Sequence, residues 1–391
     1  MTTGWTEARQ VARDAAEPLE AITVDLGGAL GLALAEHLPA LVSLPLCDTS
    51  AMDGYAVRGT GPWQVIGRRL AGACTSGAAL EPGQALEIAT GAPIPLGTWA
   101  VLPVELSALE GSTVAGELPG KHHIRRRGED IPRGRRVLQA GSVVTPAALG
   151  LAASVGYDVL RVHRRPRVRV VVSGDELLTT GLPTHGQVRD AIGPLLPGLI
   201  TAAGGELLDT QFVADRAGAL SESLACDDVD VVAVCGSTSV GPADHLRPVL
   251  GALKADVLVD GVACRPGHPQ LLAALPDGRH VVGLPGNPFA ALAAGHTLLA
   301  PLLHGLAGHS PKAPLTGRLR GAVTARATET RLVPAVRTDD ALVPVGRDRA
   351  GNLWGAAMAD VLAVVPPQWT GPEVEVLPSE TPSGALFALP E

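Results

Sequence analysis

The chain has 391 residues, 46% of them hydrophobic but only 3% aromatic, with a formal net charge of −8 and a pI near 5.8. That length exceeds a single core and predicts two to four domains, and the scarcity of aromatics predicts interiors filled by Ala, Val and Leu, as where helices pack on a parallel sheet. The acidic balance excludes a general nucleic-acid binder, five cysteines without a C-x-x-C pair exclude a zinc knuckle or a full disulfide framework, and the absence of a basic start with an apolar run, or of a credible membrane span, leaves a soluble cytoplasmic protein as the expectation.

Apolar spacing over 6–16 and again over 19–38 predicts helices, with Pro39 and Pro45 bracketing an extended stretch. That stretch leads into Asp48-Thr-Ser-Ala-Met-Asp-Gly-Tyr-Ala-Val57, where one of two tyrosines and one of three methionines stand between two carboxylates. Gathering rare side chains in this way marks a window with a specific task. Residues 59–120 are rich in Gly and Pro, with short apolar runs at 63–66 and 100–104, and predict a small β-rich unit. Positions 121–136 then carry seven basic and two acidic residues.

From Arg167 the pattern becomes strand, loop, helix, repeated. Strands are predicted at 168–172, 206–213, 229–235 and 280–284, and helices at 195–203, 217–225, 244–253 and from Pro288 to about 303. This alternation implies a mainly parallel, doubly wound sheet. After Pro314, strand-like runs at 331–336, 341–345, 361–365 and 374–377 predict a small all-β domain or barrel.

In an open parallel sheet, ligands bind beyond the carboxyl ends of the strands, at the point where strand order reverses. Loops 173–176, 236–244 and 284–288 lie there, each offers glycine for close backbone approach, and two run into helix N-termini suited to phosphate. The 236–241 loop lacks the Walker lysine and G-x-G-x-x-G spacing, so neither an ATPase nor an ordinary dinucleotide fold is indicated; a plain strand-to-helix turn would read the same. Asp175, Glu176, Asp190, Asp215 and Asp244 fall in these loops. Singly each fits a solvated charge or a helix cap, but around a phosphate they would call for a divalent cation such as Mg²⁺.

Several segments, taken in order, resemble the motifs of the MoeA family, the molybdopterin molybdenumtransferases: the 48–57 window, Thr90-Gly-Ala-Pro93, Ile124-Arg-Arg-Arg-Gly-Glu-Asp-Ile131, Ser173-Gly-Asp-Glu-Leu177, Ser239-Val-Gly241 with Asp244, and Gly283-Leu-Pro-Gly-Asn-Pro288. The resemblance spans nearly the whole chain. It implies a multidomain α/β plus β protein: a linking domain at 1–47 with 132–165, a β-rich cleft domain at 48–131, a doubly wound α/β molybdopterin-binding domain at 166–308 and a C-terminal β-barrel at 312–391. It implies a Mg²⁺-assisted enzyme that inserts molybdate into adenylylated molybdopterin and releases AMP. The expected assembly is a homodimer with its cleft shared between subunits, a molybdopterin adenylyltransferase is the upstream partner, and neither nucleic acid nor membrane is involved.

Carried over residue by residue, the resemblance makes Asp53, Thr90, Asp130 and Glu176 catalytic and places Glu176, Asp190, Asp215 and Asp244 around the metal. Substrate binding falls to Arg125, Arg126 and Arg127, whose guanidinium groups suit molybdate and phosphate oxygens, and to Ser173, Gly236, Ser237, Ser239, Gly241, Arg265, Pro285, Asn287 and Pro288. Departures cluster in the pterin loops. Ser237 and Thr238 stand where the family has Gly and Val, Arg189-Asp190-Ala191-Ile192 replaces Tyr-Asp-Ser/Thr-Asn, Arg265-Pro-Gly-His268-Pro269 replaces Lys-Pro-Gly-Lys-Pro, and Gly261 replaces a lysine. They leave open an alternative, a weak or inactive paralogue that binds pterin-nucleotide or a partner protein.

Overall fold

The computed structural model describes residues 2–72, 79–236, 238 and 244–378. Its centre is a six-stranded sheet in the order Glu206–Val213, Arg167–Ser173, Val231–Cys235, His280–Leu284, Leu271–Ala274, Asp256–Asp260. The first four are parallel and the last two antiparallel. The two antiparallel strands went unread in the sequence because their runs are short, and the Leu-Leu-Ala-Ala of 271–274 is composed of helix formers. Val231–Cys235 is buried on both faces, which is why it reads as a continuous apolar run without alternation.

One face of this sheet is covered by the helices Leu196–Ala202 and Pro288–Leu306, the other by Ala217–Leu224 and Leu246–Ala252. Pro288–Leu306 is long and apolar enough to cross a membrane, yet 78% of its richest window is buried inside the protein, as in a core helix. The first helix, Trp5–Asp14, joins the same core through Trp5, Ala8 and Ala12. Its indole Nε1 donates to the buried Thr297 hydroxyl at 3.1 Å.

The helix expected over 19–38 is absent. Ala21–Asp25 is a strand antiparallel to Val159–His163, and Leu38–Pro39 pairs with Arg136–Leu138. The β-branched Ile22-Thr23-Val24 favours a pleated surface, and Gly27, Gly28 and Gly31 disfavour an α-helix beyond it, where only the short 3₁₀ turn Gly27–Ala29 forms. These strands pack with the helix Pro146–Ser154, which is capped by the Thr145 hydroxyl accepting from the Ala148 amide.

A second six-stranded sheet is ordered Ala100–Pro103, Gly54–Val57, Gln84–Ile88, Trp63–Arg69, Thr113–Gly116, Ser107–Glu110. Along Gly54–Val57 the faces alternate: Tyr55 and Val57 pack with Trp63 and Leu102, while Ala56 packs with Ile88 and Val101. Tyr55 is thus a core residue. A Cβ on Gly54 would collide with the Leu102 carbonyl oxygen, so the strand contact itself requires glycine there.

Near the C-terminus Thr330–Arg337, Val361–Val365, Glu373–Pro378 and Leu315–Arg318 pair in succession. A bridge between Leu319 and Leu342 links the last of these back to Leu342–Pro344, itself paired to Thr330–Arg337. The ring encloses Leu319, Val333, Ala335, Val361, Ala363 and Val376. The unit is stitched to the rest of the chain, since Val262–Arg265 and then Thr3–Gly4 extend the sheet from the start of Thr330–Arg337.

Candidate functional site

In the α/β sheet the chain runs from Arg167–Ser173 outward to Glu206–Val213, then back across to Val231–Cys235. The strand order therefore reverses between Arg167–Ser173 and Val231–Cys235, and their carboxyl ends diverge into a crevice. A cavity of about 360 Å³ opens there. Its walls include Ser173, Glu176, Asp190, Asp215, Gly236, Asp244, Pro285, Asn287 and Pro288, all expected from sequence, together with Thr238, Cys235 and Pro269. Ser237, Ser239 and Gly241 lie outside the described residues.

Local hydrogen bonds explain how these side chains are held. The Ser173 hydroxyl donates to Asp215, whose carboxylate also accepts from the Asp175 amide at 3.4 Å. Asp175 returns the bond, accepting from the Asp215 amide at 3.3 Å. The two loops at the ends of adjacent strands are thereby locked together. Gly236 has φ +86°, and a Cβ there would stand 2.9 Å from the Ser173 carbonyl oxygen, so glycine permits this close approach. Burial drives the Cys235 thiol pKa well up, with Asp190 adding to the effect, which makes it an inert wall.

Three expectations change, for Asp190, Arg265 and the helix start at Pro288. Asp190 is 7% exposed, and its Oδ1 accepts from the amides of Ile192 at 2.9 Å and Gly193 at 3.1 Å, so it braces a turn. Ile192, where the family has Asn, belongs to the core and also lines the cavity, giving it an apolar wall there. Arg265 is absent from the cavity wall and donates from Nε to both oxygens of Glu329, at 3.0 and 3.3 Å. The helix start at Pro288 is also no open phosphate cradle: the amides of Phe289 and Ala290 both donate to the Ala350 carbonyl, and proline has no N–H to offer.

A residue not singled out from sequence holds the far side. Arg247 donates to the Thr238 carbonyl at 2.6 Å and to Asp260 at 2.5 and 3.0 Å. It ties the one described residue within 237–243 to a neighbouring strand. Its partners lie 9 and 13 positions away, so no local pattern could announce the clamp.

The second site is on the other sheet. Asp53 projects beside a pocket of about 230 Å³ lined also by Gly54, Arg68, Leu70, Glu87 and Val104. Its Oδ1 accepts from the Thr90 amide at 2.6 Å and the Thr90 hydroxyl at 3.0 Å. These two donors hold the Asp53 pKa below the ordinary carboxylate value, the amide contributing most. Arg68 and Glu87 form a 2.8 Å ion pair within the same pocket. Sequence alone missed them because their pairing depends on the register of Trp63–Arg69 with Gln84–Ile88.

Ile124–Arg125 pairs with Thr49–Ser50, which brings the arginine run to the 48–53 window. Asp48 accepts from the Arg127 amide at 2.8 Å and from Arg126 Nη1 at 2.6 Å, and these bonds lower its pKa. Arg126 is thus engaged by a carboxylate, while Arg125 and Arg127 side chains are exposed. Asp130 is exposed and fixed by its amide to Leu44. The two pockets share no lining residue.

Among the described residues no three His, Cys, Asp or Glu side chains converge as a metal-binding group. Mg²⁺ commonly keeps its waters and takes one or two carboxylates plus substrate phosphates. Glu176, Asp215 and Asp244 on the cavity wall fit that partial role, while Asp190 does not.

Profile comparison matches residues 3–156 to the MoeA N-terminal region (domain I and II) and residues 169–305 to a family described as a probable molybdopterin binding domain. A Mycobacterium tuberculosis protein named molybdopterin molybdenumtransferase 2 is 36% identical over 318 residues, covering 76% of this chain and 78% of that protein. A Staphylococcus aureus molybdopterin molybdenumtransferase is 29% identical over 368 residues, covering 89% and 88%. Among solved structures, a molybdopterin biosynthesis MoeA protein from Pyrococcus horikoshii superposes with TM-score 0.78 at 26% identity, over 97% of this chain and 99% of that one.

Proposed function

We propose, from the premise that the chain belongs to the MoeA family of molybdopterin molybdenumtransferases, how its two sites carry out the family reaction. The protein is a transferase of molybdenum cofactor biosynthesis. Its substrates are molybdate and adenylylated molybdopterin, and AMP is released as molybdenum is left on the pterin dithiolene. The observation that best supports this reading is the cavity at the reversal of strand order, with Glu176, Asp215 and Asp244 on its wall.

In this reading the α/β domain of 166–308 holds the pterin-nucleotide, and Ser173, fixed by Asp215, and Asn287 supply polar contacts at its rim. Glu176, Asp215 and Asp244 would hold Mg²⁺, which would supply charge neutralisation at the substrate phosphates. Asp53 and Thr90 work from the cleft domain of 48–131, which also carries Asp130, Arg125 and Arg127. A carboxylate with a depressed pKa is a permanent anion and a weak base near neutrality. Asp53 therefore acts as a fixed acceptor that orients a hydroxyl or water, and the arginines bind molybdate oxygens.

In this reading the cleft is shared between two subunits of a cytoplasmic homodimer, as the family resemblance implies, and a molybdopterin adenylyltransferase supplies its substrate; that the two pockets share no wall residue is compatible with this. The test uses Asp53→Ala and Glu176→Ala subunits, each nearly inactive alone, in forming cofactor that reconstitutes an apo-molybdoenzyme. Mixing them should restore up to roughly a quarter of the wild-type rate, since a mixed dimer keeps one cleft intact. Failure of the wild type to form cofactor would sink the activity; failure of the mixture alone would sink the shared cleft.

A further inference from the structure

Among the described residues that wall the switch-point cavity, Glu176, Asp190, Asp215 and Asp244 are carboxylates and Arg189 is the one cation. Arg189 is exposed, and its guanidinium makes no hydrogen bond or ion pair among the described residues. Other arginines of the α/β unit are committed: Arg169 to Asp209, Arg247 to Asp260 and Arg265 to Glu329. His268 stands off the cavity wall, and its Nδ1 lies 2.9 Å from the Val262 carbonyl oxygen. Facing a carbonyl, that nitrogen carries the proton, so the neutral ring leaves Nε2 an acceptor, which offers nothing to an anion.

The backbone that carries Arg189 is fixed. Val188–Arg189 runs parallel to Leu177–Leu178, with Arg189 opposite Leu178. On one side the Val188 amide donates to the Glu176 carbonyl, and on the other the Asp190 amide donates to the Leu178 carbonyl, both at 2.9 Å. The turn braced by the Asp190 carboxylate follows at once. The ribbon therefore ties Arg189 to the segment that begins at Glu176, on the same cavity wall, while leaving its five N–H donors unspent.

A ligand bearing phosphate meets four carboxylates on this wall, and the two charges of one Mg²⁺ offset only part of the repulsion. A further cation must come from the protein, and the wall offers Arg189 for it. We propose that Arg189 is a substrate-binding residue that grips a phosphate group of the ligand with its guanidinium fork. The inference rests on the functional reading above and adds a residue that the sequence did not single out for binding. Two oxygens of one phosphate match two parallel N–H groups of arginine, a geometry that lysine, as a point charge, reproduces only in part. Both halves of an adenylylated pterin carry a phosphate, and separate probes tell them apart.

The experiment is calorimetric titration of the full-length protein with AMP and, separately, with molybdopterin, at low and at high salt, on wild type, Arg189→Gln and Arg189→Lys. Arg189 has no side-chain bond to lose, so both variants should melt within about 2 °C of wild type. The expected result is a Kd raised at least 5-fold by Arg189→Gln for one or both probes, a weaker dependence of that Kd on salt than in wild type, and tighter binding by Arg189→Lys than by Arg189→Gln. The affected probe identifies the phosphate that is held. Binding of both probes by Arg189→Gln within 2-fold of wild type overturns the proposal, and so does Arg189→Lys binding as weakly as Arg189→Gln, since the loss would then not be one of charge. Either result leaves the functional reading standing; wild-type protein that binds neither probe overturns that reading and this proposal with it.

Discussion

Replacing Asp190 separates a carboxylate that braces a turn from one that binds metal. Its Oδ1 receives the Ile192 and Gly193 amides at 2.9 and 3.1 Å in a setting only 7% exposed. Asp190→Ala leaves two buried donors without an acceptor, and each such orphan costs about 1–3 kcal/mol. Partial relaxation of the turn brings the sum to about 2–4 kcal/mol, which lowers the melting temperature of the α/β unit by roughly 6–12 °C. Asp190→Asn keeps an acceptor oxygen in place and should cost less than about 1 kcal/mol. Thermal unfolding and the Mg²⁺ dependence of AMP release, measured on both variants, decide the matter. An Asn variant that melts like wild type but needs ten times more Mg²⁺ would refute the reasoning and restore Asp190 as a metal ligand.

Thr90→Val removes the hydroxyl donor to Asp53 and should shift the acid limb of the kcat profile upward in pH, because the depressed pKa of Asp53 then rises toward its ordinary value; an unmoved limb would show that Asp53 ionisation does not govern turnover. His296 and His304 on the last helix of the α/β core, and His309 just beyond its end, are pushed by burial down to about 4 and held neutral. Their unfolded forms bind protons near pH 6.5, so the stability they contribute is full above that value and is lost as pH falls towards 4, by up to about 1.4 kcal/mol per pH unit for each. Unfolding followed by calorimetry from pH 7 to pH 4.5 should show a steady fall in melting temperature, and a flat profile would contradict it. Arg247→Ala, which frees the Thr238 carbonyl and Asp260, should raise KM for the pterin substrate at least 5-fold with kcat changed less than 2-fold; the opposite split would place Arg247 in the chemistry rather than in positioning the loop.

The sequence carried the central parallel strands Arg167–Ser173, Val231–Cys235 and His280–Leu284 well, because strands buried on both faces become continuous apolar runs rich in valine. It misled over 19–38, where leucine and alanine spacing mimics a helix and only the partner strand Val159–His163 reveals Ala21–Asp25 as extended. The cavity wall was legible in its loops, since Ser173, Glu176, Asp215, Gly236 and Asn287 all follow strand ends. What stayed illegible was the use each polar group already has. Arg265 looked like a free cation until Glu329 was found beside it, and Arg126 until Asp48 was. Pro288 looked like the threshold of a phosphate cradle until Ala350 took its amides. These partners come from distant segments, so hydrogen-bond saturation is a property of the fold and leaves no local mark in the chain.

The most direct measurement is molybdate-dependent release of AMP from adenylylated molybdopterin in the presence of Mg²⁺, with wild type and Asp53→Ala compared at equal stability. The wild type should release AMP well above the protein-free rate, and Asp53→Ala should lose at least 10-fold in turnover while melting within about 2 °C of wild type. Nucleotide binding without any release by the wild type would contradict the transferase and leave a pterin-binding protein in its place.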